Sequence, residues 1–149
     1  MKRENSRGGG EIPGWADAAV RLLPRMLYRK FLTWMIHDDA LVTDELVAEF
    51  HDNFRRDGNR PAEMDRLRDF TVDDPDPVLA KVVAPTLVMW GRENPQLPYA
   101  LAEGFRERLT ATPQVEVMIV PGAGHVLPLE EPMLSAEAAA AFMAGKVVP

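Results

Sequence analysis

Few side chains in this sequence can do chemistry. There are three histidines, His37, His51 and His125, two serines, Ser6 and Ser135, and no cysteine. Without cysteine there is no thiolate nucleophile, no thiolate metal site and no disulfide scaffold. His125 closes a glycine-rich turn, Gly122-Ala123-Gly124-His125. Glycines permit the tight backbone approach such a loop needs, and an imidazole carried on it can move a proton near neutral pH. Taken alone, the same turn suits an ordinary surface histidine equally well. His37 is followed by Asp38 and Asp39, a set that suggests a metal, but it falls where a helix should end, and a solvated terminus is expected. His51 lies mid-helix beside Asp52 and is expected at the surface. Neither pair has zinc spacing, so no metal site is expected. The glycines at 8–10 are not a phosphate loop, because no Lys-Ser/Thr follows and no strand precedes. Ser6 reads as a surface residue and Ser135 as a helix-start residue.

The elements that must position these groups fall into two kinds. Residues 1–14 are polar and glycine-rich and read as a flexible lead-in. Residues 15–80 read as a helical subdomain. Pro24 can sit in the first turn of a helix whose residues Met26, Leu27, Phe31, Trp34 and Met35 span a wide apolar arc that should be mostly covered. Thr43 is an N-cap, followed by Asp44 and Glu45 at the positive end of the dipole. Leu46, Val47, Phe50 and Phe54 then share one stripe. Gly58 and Asn59 should end that helix, and Pro61 should start a short one carrying Met64, Leu67 and Phe70. The Asp73-Asp74-Pro75-Asp76-Pro77 run is turn-rich. In residues 81–149 the period changes. Thr86–Trp90 is uncharged, begins after a proline and ends at Gly91, as suits a strand buried on both faces. A helical pattern returns over 97–110, with Leu101, Phe105 and Leu109 on one face. Val115–Val120 is rich in β-branched residues and reads as a second strand. The predicted architecture is α/β: a helical subdomain followed by a β-α-β-α unit with two parallel strands and a last helix from about Met133 to Met143.

Composition limits the roles open to such a chain. With 149 residues, 46% hydrophobic and 27% charged, it is globular rather than disordered or fibrous. Seventeen basic residues against 23 acidic ones give a net charge of -6, which argues against tracking nucleic-acid phosphates. No run approaches the roughly 18 uncharged apolar residues of a membrane span, and the basic N-terminus lacks the apolar stretch of a secretory signal. A cytoplasmic location is expected. Two strands, however, do not make an independently stable sheet in water. Leaving Leu87, Val88 or Met89 exposed forfeits about 1.5–3 kcal/mol each, out of a total stability of roughly 5–15 kcal/mol. The bare edge would also invite pairing with another chain. Either the helical part covers these strands in an unusual way, or more strands come from elsewhere; the second is expected.

The segment from Pro85 to Pro98, a following helix, and the run from Val115 to Pro132 ahead of a terminal helix together resemble the C-terminal part of an α/β-hydrolase. In that family one strand leads into a GRxD motif that carries the triad acid, and the next leads into a PGAGH turn that carries the catalytic histidine. The Leu-Glu-Glu-Pro run at 129–132 then opens the last helix. The match is close over residues 80–145; residues 15–80 match only by type, as a helical cap. The resemblance implies that His125 is the general base, taking a proton from a nucleophile and passing it to a leaving group. It also implies a substrate pocket in which Phe31, Trp34 and Val126 take part, although residues at helical spacing also serve as simple packing. No cofactor is implied.

Two departures stand out. Asn94 occupies the acid position. Asparagine is neutral and can enforce the wrong imidazole tautomer, a change that lowers kcat about 10⁴-fold in a serine protease. Adjacent Glu93 is a poor substitute, since successive residues at a strand end point in different directions. The acid could also follow the preceding strand, as in dehalogenase-like members, which would place it before residue 1. Second, the G-x-[SCD]-x-G nucleophile elbow and the oxyanion loop are absent from the sequence. The expectation is therefore the C-terminal portion of a hydrolase, from a truncated gene or split reading frame, inactive by itself. Its intact relative would cleave a small apolar ester, epoxide, halide or carbon–carbon bond. The alternatives are a non-catalytic interaction module or pseudoenzyme derived from that fold, which could self-associate or pair with an N-terminal half through its sheet edge, and a helical domain with a small β-α-β appendage and no site.

Overall fold

The computed structural model describes residues 13, 15, 23–69, 74–146 and 148. Ser6 and Phe70 lie outside the described residues. By contacts the chain divides into two units, one of residues 1–30 and 43–74 and the other of residues 31–42 and 75–149. Helix α1, Arg25–Met35, contributes its first turns to one unit and its last turn to the other.

The first unit holds helices α2, Asp44–Phe54, and α3, Asn59–Arg68. Thr43 caps α2 as its type predicts, its Oγ1 accepting from the Leu46 N–H at 3.2 Å. Asn59 does not end α2. It begins α3, with Gly58 at the N-cap in a left-handed φ of +90° that glycine adopts freely. His51 is not a surface residue: it is 7% exposed, with Val47 on the buried side of α2. The Tyr28 ring meets its imidazole edge-on with centroids 5.3 Å apart, and Nδ1 lies 2.8 Å from Asp52 Oδ1. A half-hydrophobic ring with a polar partner at hand can be buried at little cost. Its hydrogen bond holds the Asp52 carboxyl below the usual aspartate range. Burial pushes the Tyr28 phenol up, partly opposed by Arg60 and Arg55.

The second unit carries the sheet. Strand β1, Thr86–Gly91, pairs with β2, Val115–Val120, in parallel, with Thr86 opposite Val115 and Gly91 opposite Val120. Helix α5, Ala100–Arg108, crosses between them. A one-turn helix α4, Asp76–Leu79, precedes β1 and is tied to α5 by a 2.8 Å ion pair from Arg108 to Asp76. After β2 come the short α6, Leu127–Glu130, and α7, Pro132–Met143. Val120, Ala123 and Leu127 form a buried cluster with Met89, Met118 and Leu134 packed on it. This core lies at the C-terminal ends of the strands. Thr86–Trp90 is only half-buried along its length and so is β2 up to Ile119. The expected two-sided burial of β1 is not met, because a two-stranded sheet has no inner strand. The apolar arc of α1 is likewise less covered than its composition suggests. Leu32 and Met35 are buried, while Met26, Leu27, Phe31 and Trp34 are 42–61% exposed. No helix among the described residues is long and apolar enough to cross a membrane.

Candidate active site

The two strands end side by side, and the turns that follow them hold the candidate residues. Beyond β2 the chain turns sharply at Gly122, whose φ of +78° only glycine adopts freely. Gly91, at the end of β1, sits against this turn so closely that a Cβ there would lie 2.0 Å from the Gly124 carbonyl oxygen. The β1 turn is stitched to the β2 turn by three hydrogen bonds. Arg92 N–H donates to the Val120 carbonyl at 2.9 Å, Glu93 N–H to the Ala123 carbonyl at 3.0 Å, and Gly122 N–H to the Glu93 carboxylate at 2.8 Å. Glu93 is thus committed to the backbone of the histidine turn.

His125 is placed by its own backbone as well. Its N–H donates to the Met35 carbonyl at 2.8 Å, joining the turn to the end of α1. Its imidazole Nδ1 lies 3.3 Å from Asn94 Oδ1. The structure therefore brings together the two positions, His125 and Asn94, that the family resemblance singled out. Asn94 Oδ1 also accepts from the Gln96 N–H at 3.0 Å and the Leu97 N–H at 3.1 Å. Trp90 donates its indole N–H to the Leu97 carbonyl at 2.9 Å while its ring packs on Phe105. Arg92 lies over the Tyr99 ring, 5.6 Å from its centroid.

A residue that sequence reasoning passed over holds the site together. The Glu130 carboxylate accepts from three backbone N–H groups: His37 at 2.7 Å, Gly124 at 2.8 Å and Val126 at 3.1 Å. The only signal in the sequence was its place in the Leu-Glu-Glu-Pro run.

Beside His125 lies an open cleft of about 190 Å³, lined among others by Met89, Trp90, Asn94, Leu97 and Leu127. It offers an apolar wall with one imidazole and one amide, suited to a small apolar group presented to a proton acceptor. Phe31, Trp34 and Val126 do not line it. Phe31 and Trp34 face each other on α1 with centroids 6.2 Å apart, and Val126 is half-buried just ahead of α6. Ser135 is buried at 8% exposure within α7, and its hydroxyl has no hydrogen-bond partner. His37 is exposed beyond the end of α1, and no cluster of metal-ligating side chains occurs among the described residues.

No protein-family model matches the sequence, and no curated protein matches it significantly. Solved structures do. A serine hydrolase from the polyaromatic hydrocarbon-degrading bacterium Cycloclasticus zankles superposes with a TM-score of 0.64 at 14% identity, over 97% of this chain and 52% of its own. The carboxylesterase CesB from Bacillus subtilis gives 0.63 at 19% identity, over 91% and 47%. A thermophilic esterase from Thermogutta terrifontis gives 0.61 at 19% identity, over 87% and 47%. The chain spans about half the length of the structures it matches. Its two parallel strands, the helix between them and the turns that end them form part of an α/β-hydrolase fold.

Proposed function

We propose that this chain supplies the general-base portion of a hydrolase that acts on a small apolar ester, epoxide, halide or carbon–carbon bond. His125 takes the proton from the nucleophile or an attacking water at its free ring nitrogen and passes it to the leaving group. The single observation that supports this most is the pairing of His125 Nδ1 with Asn94 Oδ1 at 3.3 Å, at the ends of adjacent parallel strands and beside an apolar cleft. The nucleophile comes from a segment outside these residues, because the sequence contains no G-x-[SCD]-x-G elbow. That segment adds along an edge of the two-stranded sheet.

Two measurements test the reading. The chain by itself should show no turnover of p-nitrophenyl esters and no labelling by a serine-directed fluorophosphonate. Labelling that disappears in Ser6→Ala or Ser135→Ala would place the nucleophile inside the chain and overturn the proposal. Joined to a nucleophile-bearing segment encoded upstream in its genome, it should hydrolyse esters, and His125→Ala should lower kcat by several orders of magnitude. An upstream sequence without an elbow would count against a hydrolase.

A further inference from the structure

An asparagine amide can offer an imidazole either an oxygen or an NH₂. The NH₂ would require an unprotonated Nδ1 and so would drive the ring proton to Nε2, the nitrogen a general base must keep free. At Asn94 the choice is settled by the backbone. Oδ1 accepts from the Gln96 and Leu97 N–H groups, an Asx-type turn across Pro95, whose own nitrogen has no hydrogen to give. Rotating the amide would aim its NH₂ at both donors and leave them unpaired. Trp90 braces the turn by donating to the Leu97 carbonyl. The atom held 3.3 Å from His125 Nδ1 is therefore an acceptor.

We propose that Asn94 is a positioning residue: it holds the proton of neutral His125 on Nδ1 and leaves Nε2 free to accept a proton, without an acidic partner. This rests on reading His125 as the general base, and it reverses the expectation that asparagine enforces the unproductive tautomer. A fixed amide orientation does for the neutral ring what a carboxylate does elsewhere, except that it adds no charge opposite the imidazolium.

Long-range proton–nitrogen NMR of the ¹⁵N-labelled full chain, recorded where the imidazole is neutral, reads the tautomer directly. For His125 the ratio of the Nδ1–H to the Nε2–H form should stand about fivefold above that of free histidine, the factor given by one ordinary neutral hydrogen bond, which brings the Nδ1–H form level with or above the other. Asn94→Asp should keep that form. Asn94→Leu, which can accept nothing, should return His125 to the Nε2–H form that free histidine favours, with the Gly122 and Gly124 amide resonances in place to show that the turn persists. A predominant Nε2–H form in the unaltered chain overturns the proposal, as does a folded Asn94→Leu with its tautomer unchanged. If Asn94→Leu does not fold, the unaltered chain and Asn94→Asp decide. An Nδ1–H tautomer without His125-dependent hydrolysis in the joined enzyme would support this inference while overturning the functional one.

Discussion

Glu130 is the group whose removal should most clearly separate a positioned histidine from a merely folded chain. Its carboxylate accepts from the N–H groups of His37, Gly124 and Val126. Hydrogen bonds to a charged group are worth about 1.5–3 kcal/mol each, and stranding a buried donor costs about 1–3 kcal/mol. The three donors are not equivalent. Gly124 is buried, Val126 half-buried and His37 exposed, so water replaces the carboxylate readily only at His37. Glu130→Ala should therefore cost about 2–4 kcal/mol, chiefly from the stranded Gly124 and Val126 donors. Glu130→Gln keeps one acceptor oxygen, which the pair of donors on Oε2 would claim. It then turns an NH₂ toward Val126, for a loss of about 1–2 kcal/mol. Urea unfolding at an unchanged m-value gives the total. Because the chain has two units, amide hydrogen exchange gives the local answer. Exchange at Gly124 and Val126 should accelerate by roughly two orders of magnitude in Glu130→Ala, about tenfold per 1.4 kcal/mol, while amides of α2 stay unchanged. A loss below about 0.5 kcal/mol, within the range of an ordinary surface substitution, or unaltered exchange at Gly124, would refute the clamp.

Other consequences follow from single contacts. Gly91→Ala should cost about 3 kcal/mol or more, since its Cβ would fall 2.0 Å from backbone oxygen. Gly122→Ala meets nothing within 4 Å and should cost only the left-handed strain, about 1–2 kcal/mol; thermal unfolding of the pair checks the order. Ser135→Ala should raise stability by about 1 kcal/mol, because it removes a buried hydroxyl without a partner and favours the helix; a lower Tm would contradict this. Asp52, whose folded pKa is lowered chiefly by His51, contributes stability that is fully present above the unfolded aspartate value near 3.9. That contribution is lost as pH falls through the folded value. The stability gap between the unaltered chain and Asp52→Asn should therefore close on acidification below about pH 4, and a gap independent of pH would refute the assignment.

Much of this protein was legible in residue types and spacing. The β-branched Val115–Val120 run, the uncharged run after Pro85, the Thr43 cap and the alanine-rich run of the last helix each reflect a local rule, and each element appears where the rule puts it. His125 and Asn94 could be paired on paper because both fall on motifs that resemble the histidine and acid positions of the α/β-hydrolases, each following one of two adjacent strands. What only the tertiary structure decided involves groups far apart in sequence or free to rotate. Glu130 reaches His37 across 93 positions, a contact no periodicity encodes. His51 is buried because Tyr28, on another helix, meets its ring, and burial depends on what packs against a side chain rather than on its own polarity. The wide apolar arc of α1 remains partly open for the same reason. Most telling is Asn94. Its type alone allowed either end of the amide to face the imidazole, and only the backbone donors of Gln96 and Leu97 select the oxygen.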